Sequence, residues 1–231
     1  ADEPLTDYLA AAQLGQSDGI QGMRLGVIRH FFEQDMVAAP EIAAGIDAAL
    51  ETLAGLGAEI VDVTTHPLGE YGDANRVILL SEGYAVHEEW LRTRPQDYAR
   101  MTREKLAPGA FLAAVDYVQG VRNRTFYRQA IDSLLEGVDV LVTASSMDLP
   151  FPIDDDEAVK RCYPRQARAP FNLTGHPALA LPIGFHESDG EPALPMSMQL
   201  VGRHFDECAL YRVAAAYEQA AGWAERHPAL A

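Results

Sequence analysis

The first regular pattern along the chain is Met23-Arg24-Leu25-Gly26-Val27-Ile28, a short apolar run with strand character. Pro40, suited to a first helical turn, then opens a segment in which Ile42, Ile46, Leu50, Leu53 and Leu56 recur at three- and four-residue spacing. That spacing predicts a helix, ended by Gly55 and Gly57, and Ala58 to Val63 reads as a second strand. Strand, helix and strand within about forty residues make a βαβ crossover, hence a parallel pair in an α/β fold.

The middle of the chain reads as helical. Tyr71 to Trp90 is one helix, broken near Pro95, and a second long stretch runs from Pro108-Gly109 to Glu136 with Leu112, Val115, Val118, Ile131, Leu134 and Leu135 as its apolar positions. Gly137 stops it, and Val138 to Val142 is the next strand. The segment from 144 to 170 carries Pro150, Pro152, Pro164, Pro170 and the acidic run Asp154 to Glu157, which predicts a long loop over a pocket. Ala178 to Ile183 reads as a buried strand, His186 to Glu191 as a polar turn, and Leu194 to Val201 as a strand of period two. Asp206 is placed to cap a closing helix with Leu210, Val213 and Tyr217, ending at Gly222. The expected architecture is α/β, a mixed sheet flanked by helices, with residues 1–22 as a linker and lead-in helix.

Composition narrows the classes. Against 18 basic residues stand 34 acidic ones, a net charge of −16, and only Lys105 and Lys160 are lysines. So acidic a surface repels phosphate backbones and anionic headgroups, so neither direct nucleic-acid binding nor membrane association is expected. No apolar run approaches the roughly 20 residues of a membrane span. Ala1-Asp2-Glu3-Pro4 has no basic or apolar leader character, and a start without Met points to a chain that begins inside a longer protein or was trimmed. Cys162 and Cys208 are too few for a disulfide framework and fit reduced thiols in a cytoplasmic protein.

Several motifs invite chemistry. Gly15-Gln16-Ser17-Asp18-Gly19 fits the G-x-S-x-G pattern, but a nucleophile elbow needs a strand-to-helix turn, and here a helical segment precedes a strand. A glycine-rich connector is the better reading. Ser145-Ser146 could pair a nucleophile with a relay hydroxyl, yet Met147-Asp148 follows instead of glycines, and a pocket-lining strand end fits better. No metal set is expected: His87-Glu88-Glu89 lacks a second histidine, His186 and Asp189 sit in a polar turn, and the run at Asp154 lacks the glycine of a calcium loop. Phosphate-cradling glycine loops are likewise missing from the sequence, so no cofactor is expected.

The most distinctive stretch is Pro170-Phe171-Asn172-Leu173-Thr174-Gly175-His176-Pro177-Ala178-Leu179-Ala180-Leu181-Pro182-Ile183-Gly184. Taken by itself it is a rigid helix-to-strand corner, with Gly175 free to turn left-handed and Pro177 fixing the approach to the strand. The stretch also resembles the C-terminal hallmark of the amidase signature family. The likeness continues through Leu194 to Gly202 and Phe205-Asp206-Glu207, and upstream through Gly22 to Val27, Asp116-Tyr117 with Arg124, and Val138 to Thr143. It covers nearly all 231 residues in the family order.

The resemblance implies cleavage or transfer of carboxamides by a Ser–cis-Ser–Lys triad carried on the family's N-terminal half. No Gly-Gly-Ser-Ser-type segment is present here, so no catalytic residue is carried over and the chain alone is expected to be inert. What the resemblance leaves to this half is pocket wall, with Arg124, Thr143, Ser145 and Asn172 as the substrate-binding positions. Arg124 would meet a substrate carboxylate or carbonyl; a helix-to-loop salt bridge is the alternative for it. The glutamine-using tRNA amidotransferase branch places an acidic residue seven positions before the corner Asn, where this chain has Arg165. That favours a general amidase over a chain like the amide-cleaving component of such a transferase. Other readings are a truncated relative that binds a small amide without turnover, and an unrelated hydrolase using Ser17. The expected partners are the N-terminal half of the same amidase and a small amide substrate, with self-association of the isolated chain through the surfaces that half would cover.

Overall fold

The computed structural model describes residues 6–152, 154–187 and 193–226. Five strands form one sheet: β1 (Arg24–Val27), β2 (Glu59–Asp62), β3 (Val140–Ala144), β4 (Ala178–His186) and β5 (Leu194–Val201), in the order β2-β1-β3-β5-β4. The first βαβ unit closes as the periodicity predicts, with Leu25 opposite Ile60 and Val27 opposite Asp62 in parallel register. β3 is the seam of the sheet. It pairs parallel to β1 on one side and antiparallel to β5 on the other, and all five of its residues are buried. A strand covered on both faces needs a continuous apolar run, which Val140-Leu141-Val142 supplies. It starts two residues later than its sequence pattern implies, because Asp139 is spent on the junction: its carboxylate accepts from the Arg24 backbone N–H at 2.8 Å.

Two groups of helices cover the sheet. In one, α2 (Pro40–Gly55) lies on β4 and β5 and touches α8 (Glu207–Ala221), which in turn holds α1 (Tyr8–Ser17). Gly45 permits the first contact, since a Cβ there would sit 3.1 Å from Ile183 Cδ1. In the other, α3 (Leu68–Thr93), α5 (Ala114–Gly137) and the short α7 (Ala169–Thr174) pack on one another. Ile78, Tyr127, Ile131 and Leu135 from this group join the strands in one continuous core.

Three sequence expectations are corrected. α3 begins at Leu68, before Tyr71, because extended Pro67 starts it directly. The stretch after Pro95 holds α4 (Arg100–Leu106) and a 3₁₀ turn at Ala107–Phe111, so α5 starts only at Ala114, where the Asp116 carboxylate accepts from the Ala113 N–H. The proline-rich segment is not a plain loop. It contains α6 (Asp156–Cys162), capped by Asp155, whose side chain accepts from Ala158 N at 2.9 Å, so part of the acidic run is a helix start. Of the polar turn anticipated over His186 to Glu191, His186 is instead the last residue of β4, paired with Leu194, and residues 188–191 lie outside the described residues.

Large apolar side chains remain exposed on the α3–α5 group. Phe111 is 88% exposed and Val115 71%, with Val118 and Val121 following on α5 and Val86 and Trp90 on α3.

Candidate functional site

A cleft of about 310 Å³ opens where α3, α5 and α7 meet. α3 contributes Asn75, Ile78, Leu79 and Glu82, α5 contributes Arg124, and α7 contributes Asn172 and Leu173. The volume lies at the low end of small-ligand sites, and buried Ile78 and Leu173 give it an apolar floor. α7 reaches this position because Pro170 sits in its first turn and Gly175 ends it in the left-handed region at φ 82°, turning the chain sharply into β4.

The polar groups of the cleft are unevenly engaged. Glu82 accepts a 2.9 Å hydrogen bond from the Tyr117 hydroxyl, and this contact with the carboxylate pushes the Tyr117 phenol up. Arg124 makes neither an ion pair nor a hydrogen bond among the described residues, so the helix-to-loop salt bridge considered for it does not form. A free guanidinium beside two carboxamides and an apolar floor suits a small polar ligand with a carbonyl or carboxylate.

Of the four positions singled out from the sequence, the structure brings Arg124 and Asn172 to this cleft. Thr143 and Ser145 sit elsewhere, at the C-terminal end of β3. Thr143 is fully buried and its hydroxyl donates to Ile28 O at 3.4 Å, while Ser145 Oγ donates to Met198 O at 3.3 Å. Ser146 is occupied with Asp148 and bridges Gln166. Arg165 forms a close ion pair with Asp148 at 2.9 Å and donates to Val37 O at 2.8 Å, so it ties the proline-rich segment to the body.

Ser17 is the exposed last residue of α1, and β1 follows it, so the order of elements is opposite to that of a nucleophile elbow. Lys160 pairs with Glu157 at 2.7 Å. Lys105 hydrogen-bonds Tyr163, whose ring also lies under Arg168, and the lysine draws the phenol pKa down. Among the described residues neither lysine hydrogen-bonds a serine.

One constellation has no local signal in the sequence. His176 is buried beyond the corner, with Nδ1 2.8 Å from Thr174 Oγ1 and Nε2 3.0 Å from Asp132 Oδ1 on α5. The imidazole of His204, in the β5–α8 turn, stacks on it at 4.1 Å. Burial, then the facing His204, pulls the His176 pKa down despite Asp132. Thr174, His176 and Asp132 have the connectivity of a nucleophile–base–acid relay. The Thr174 hydroxyl, however, belongs to a residue only 1% exposed, so no substrate carbonyl can reach it. His176 lies inside the distinctive corner stretch, but its partners come from 44 residues upstream and from a separate turn.

Residues 7–211 match the protein family described as Amidase. An amidase of Pseudomonas putida is 34% identical over 239 residues, a match that takes in 99% of this chain and 48% of that protein. The A component of the glutamyl-tRNA(Gln) amidotransferase of Chloroflexus aggregans is 31% identical over 253 residues, covering 99% of this chain and 50% of that one. A bacterial aryl acylamidase of the amidase signature family superposes with a TM-score of 0.76 over 96% of this chain and 48% of its own, at 17% identity, a likeness of fold. The chain spans about half the length of the curated relatives it matches.

Proposed function

The chain belongs to the amidase family, and from that premise we propose that it is one half of an enzyme that hydrolyses carboxamide C–N bonds. The reactive Ser–cis-Ser–Lys group is contributed by residues outside these 231. One serine attacks the amide carbonyl, the bridging serine and neutral lysine pass its proton to the departing amine, and water then releases the acid from the acyl-enzyme. This half supplies the binding wall: Arg124 holds a substrate carbonyl or carboxylate, and the Asn172 carboxamide adds a second polar contact. Thr143 and Ser145, away from this cleft, hold the end of β3 to its neighbours.

The observation that carries this reading is the cleft itself, a ligand-sized recess holding an uncommitted guanidinium, while the Thr174 hydroxyl beside His176 is too buried to attack a substrate. Acyl transfer needs nucleophile, base and oxyanion donors within ångströms of one another, so the chain alone is inert. Arg165 is committed to Asp148 and Val37, which supports a general amidase over a glutamine-fed transferase, despite the likeness to an amidotransferase component. The other half of the amidase is the partner, seated over the exposed apolar residues of α3 and α5. No helix among the described residues is long and apolar enough to cross a membrane. A cytoplasmic setting, where thiols stay reduced, suits the two free cysteines.

The test is hydrolysis of a simple aryl amide by the 231-residue chain alone and by the chain joined to the residues encoded upstream. Turnover is expected only in the joined form. There, Arg124→Ala should lower kcat/KM about 30-fold, the loss of one charge-assisted contact of roughly 2 kcal/mol. Turnover by the chain alone, or covalent acylation of any of its serines, would overturn the reading.

A further inference from the structure

We propose that Asp132, His176 and His204 form a binding site for a divalent cation of the zinc class. The three elements that meet there are otherwise remote: α5 brings Asp132, the corner between α7 and β4 brings His176, and the β5–α8 turn brings His204. One ligand atom from each lies within 4.8 Å of the others. Two ligands on a tetrahedral ion at about 2.1 Å are separated by about 3.4 Å. The distances to Asp132 Oδ1, 3.0 Å from His176 Nε2 and 3.8 Å from His204 Nε2, straddle that value. The imidazoles lie face to face with 30° between their planes, and both present Nε2 to the same carboxylate.

Two further features distinguish the cluster from an ordinary buried hydrogen-bonded histidine. The Nε2 of His204 is shielded from solvent and has no hydrogen-bond partner among the described residues. A buried nitrogen left unpaired costs free energy that a bound cation would offset. Thr174 Oγ1, at 2.8 Å from His176 Nδ1, can accept an N–H from that nitrogen. In the metal-free neutral ring Nε2 carries the proton towards Asp132 and Nδ1 accepts from Thr174; with Nε2 given up to a cation the Thr174 contact reverses and becomes the outer hydrogen bond that metal-bound histidines ordinarily make. Two imidazoles and one carboxylate select a borderline-soft ion over calcium or magnesium, which favour oxygen sets. Asp132 is only half-buried, its side chain 45% exposed, so the ion has a route in and a fourth position open to water. Arg128, which bears electrostatically on His176, opposes a dication and keeps the affinity below that of a four-ligand structural site. Bound there, the ion would pin α5, the corner and the turn together, and the inference does not depend on the amide chemistry.

The probes are Zn²⁺ by calorimetry and Co²⁺ by its visible d–d absorption, added to the chelator-stripped 231-residue chain. One equivalent should bind, Co²⁺ should show the intense band of a four-coordinate ion, and Zn²⁺ should raise the unfolding temperature by several degrees. His204→Ala, at a partly exposed side chain, should fold normally, lose the Co²⁺ band and bind Zn²⁺ at least about tenfold more weakly. Asp132→Asn should do the same independently, while His66→Ala, at a histidine paired elsewhere with Glu70, should bind as the parent does. Absence of binding to the parent chain, or equal binding by His204→Ala and Asp132→Asn, would overturn the proposal.

Discussion

Arg203 is the side chain whose loss should travel farthest through this sheet. It lies in the β5–α8 turn and reaches back beneath the end of α5, where Nη2 donates to Leu135 O at 2.5 Å and Val138 O at 2.7 Å. Those carbonyls belong to the last turn of α5 and the residue that follows it, so the guanidinium caps the helix and sets where β3 begins. Arg203→Met keeps the apolar stem and removes both hydrogen bonds. Hydrogen bonds from a charged donor contribute about 1.5–3 kcal/mol each. The side chain is 43% exposed, which lets water replace part of the loss, and the two bonds share one group, so the expected destabilisation is about 2–4 kcal/mol. For a chain of this size that lowers the unfolding temperature by on the order of 5–10 °C. Urea titration and calorimetry of parent, Arg203→Met and Arg203→Lys measure it. Lysine retains charge but offers a compact ammonium in place of a planar fork, so it should recover only part. A loss below about 0.5 kcal/mol in Arg203→Met, the range of ordinary surface changes, would refute the capping argument.

Gly15 marks the crossing of α1 and α8, where a Cβ would collide with the backbone carbonyl of Arg212, so Gly15→Ala should cost about 1–3 kcal/mol in urea unfolding or detach α1; an unchanged midpoint would contradict that packing. Burial pushes the Tyr71 phenol up to about 12 from 10.0. Between those values the unfolded chain has already released the proton and the folded chain has not, so stability falls as pH rises through the window, by on the order of 2–3 kcal/mol. Tyr71→Phe should lose that component, and identical pH profiles for the two proteins would disprove it. The isolated chain should dimerise or aggregate through Phe111 and Val115, 88% and 71% exposed. Replacing both with glutamate should shift it towards monomer in light scattering, and a well-behaved monomeric parent would count against the exposed-face reading.

The legible parts of the fold are those whose signals are local. The spacing from Ile42 to Leu56 and the alternation of β5 specify their elements directly, and Asp206 caps α8 as its position implies, accepting from Ala209 N at 3.3 Å. α6 is not legible in the sequence because four prolines around it outweigh the one cap signal, Asp155, inside an acidic run. The mixed sheet could be expected, but the central place of β3 depends on pairing with residues far away in both directions. The site divides in the same way. Arg124 and Asn172 come together because α5 and α7 pack, and the Asp132–His176–His204 cluster exists only in tertiary structure. No spacing rule links those three positions.

The seam at β3 also governs when this polypeptide can mature. Its parallel neighbour β1 is made more than a hundred residues earlier, since Thr143 meets Ile28 at a separation of 115, and its antiparallel neighbour β5 ends only at Val201. During synthesis the nascent βαβ unit must therefore wait on the ribosome with one side of β1 open until β3 emerges, and these five strands join only once β5 has left the exit tunnel. Pairings this distant pay loop-closure entropy before any contact rewards it, so ribosome-bound chains truncated before β5 should be protease-sensitive and prone to capture by chaperones.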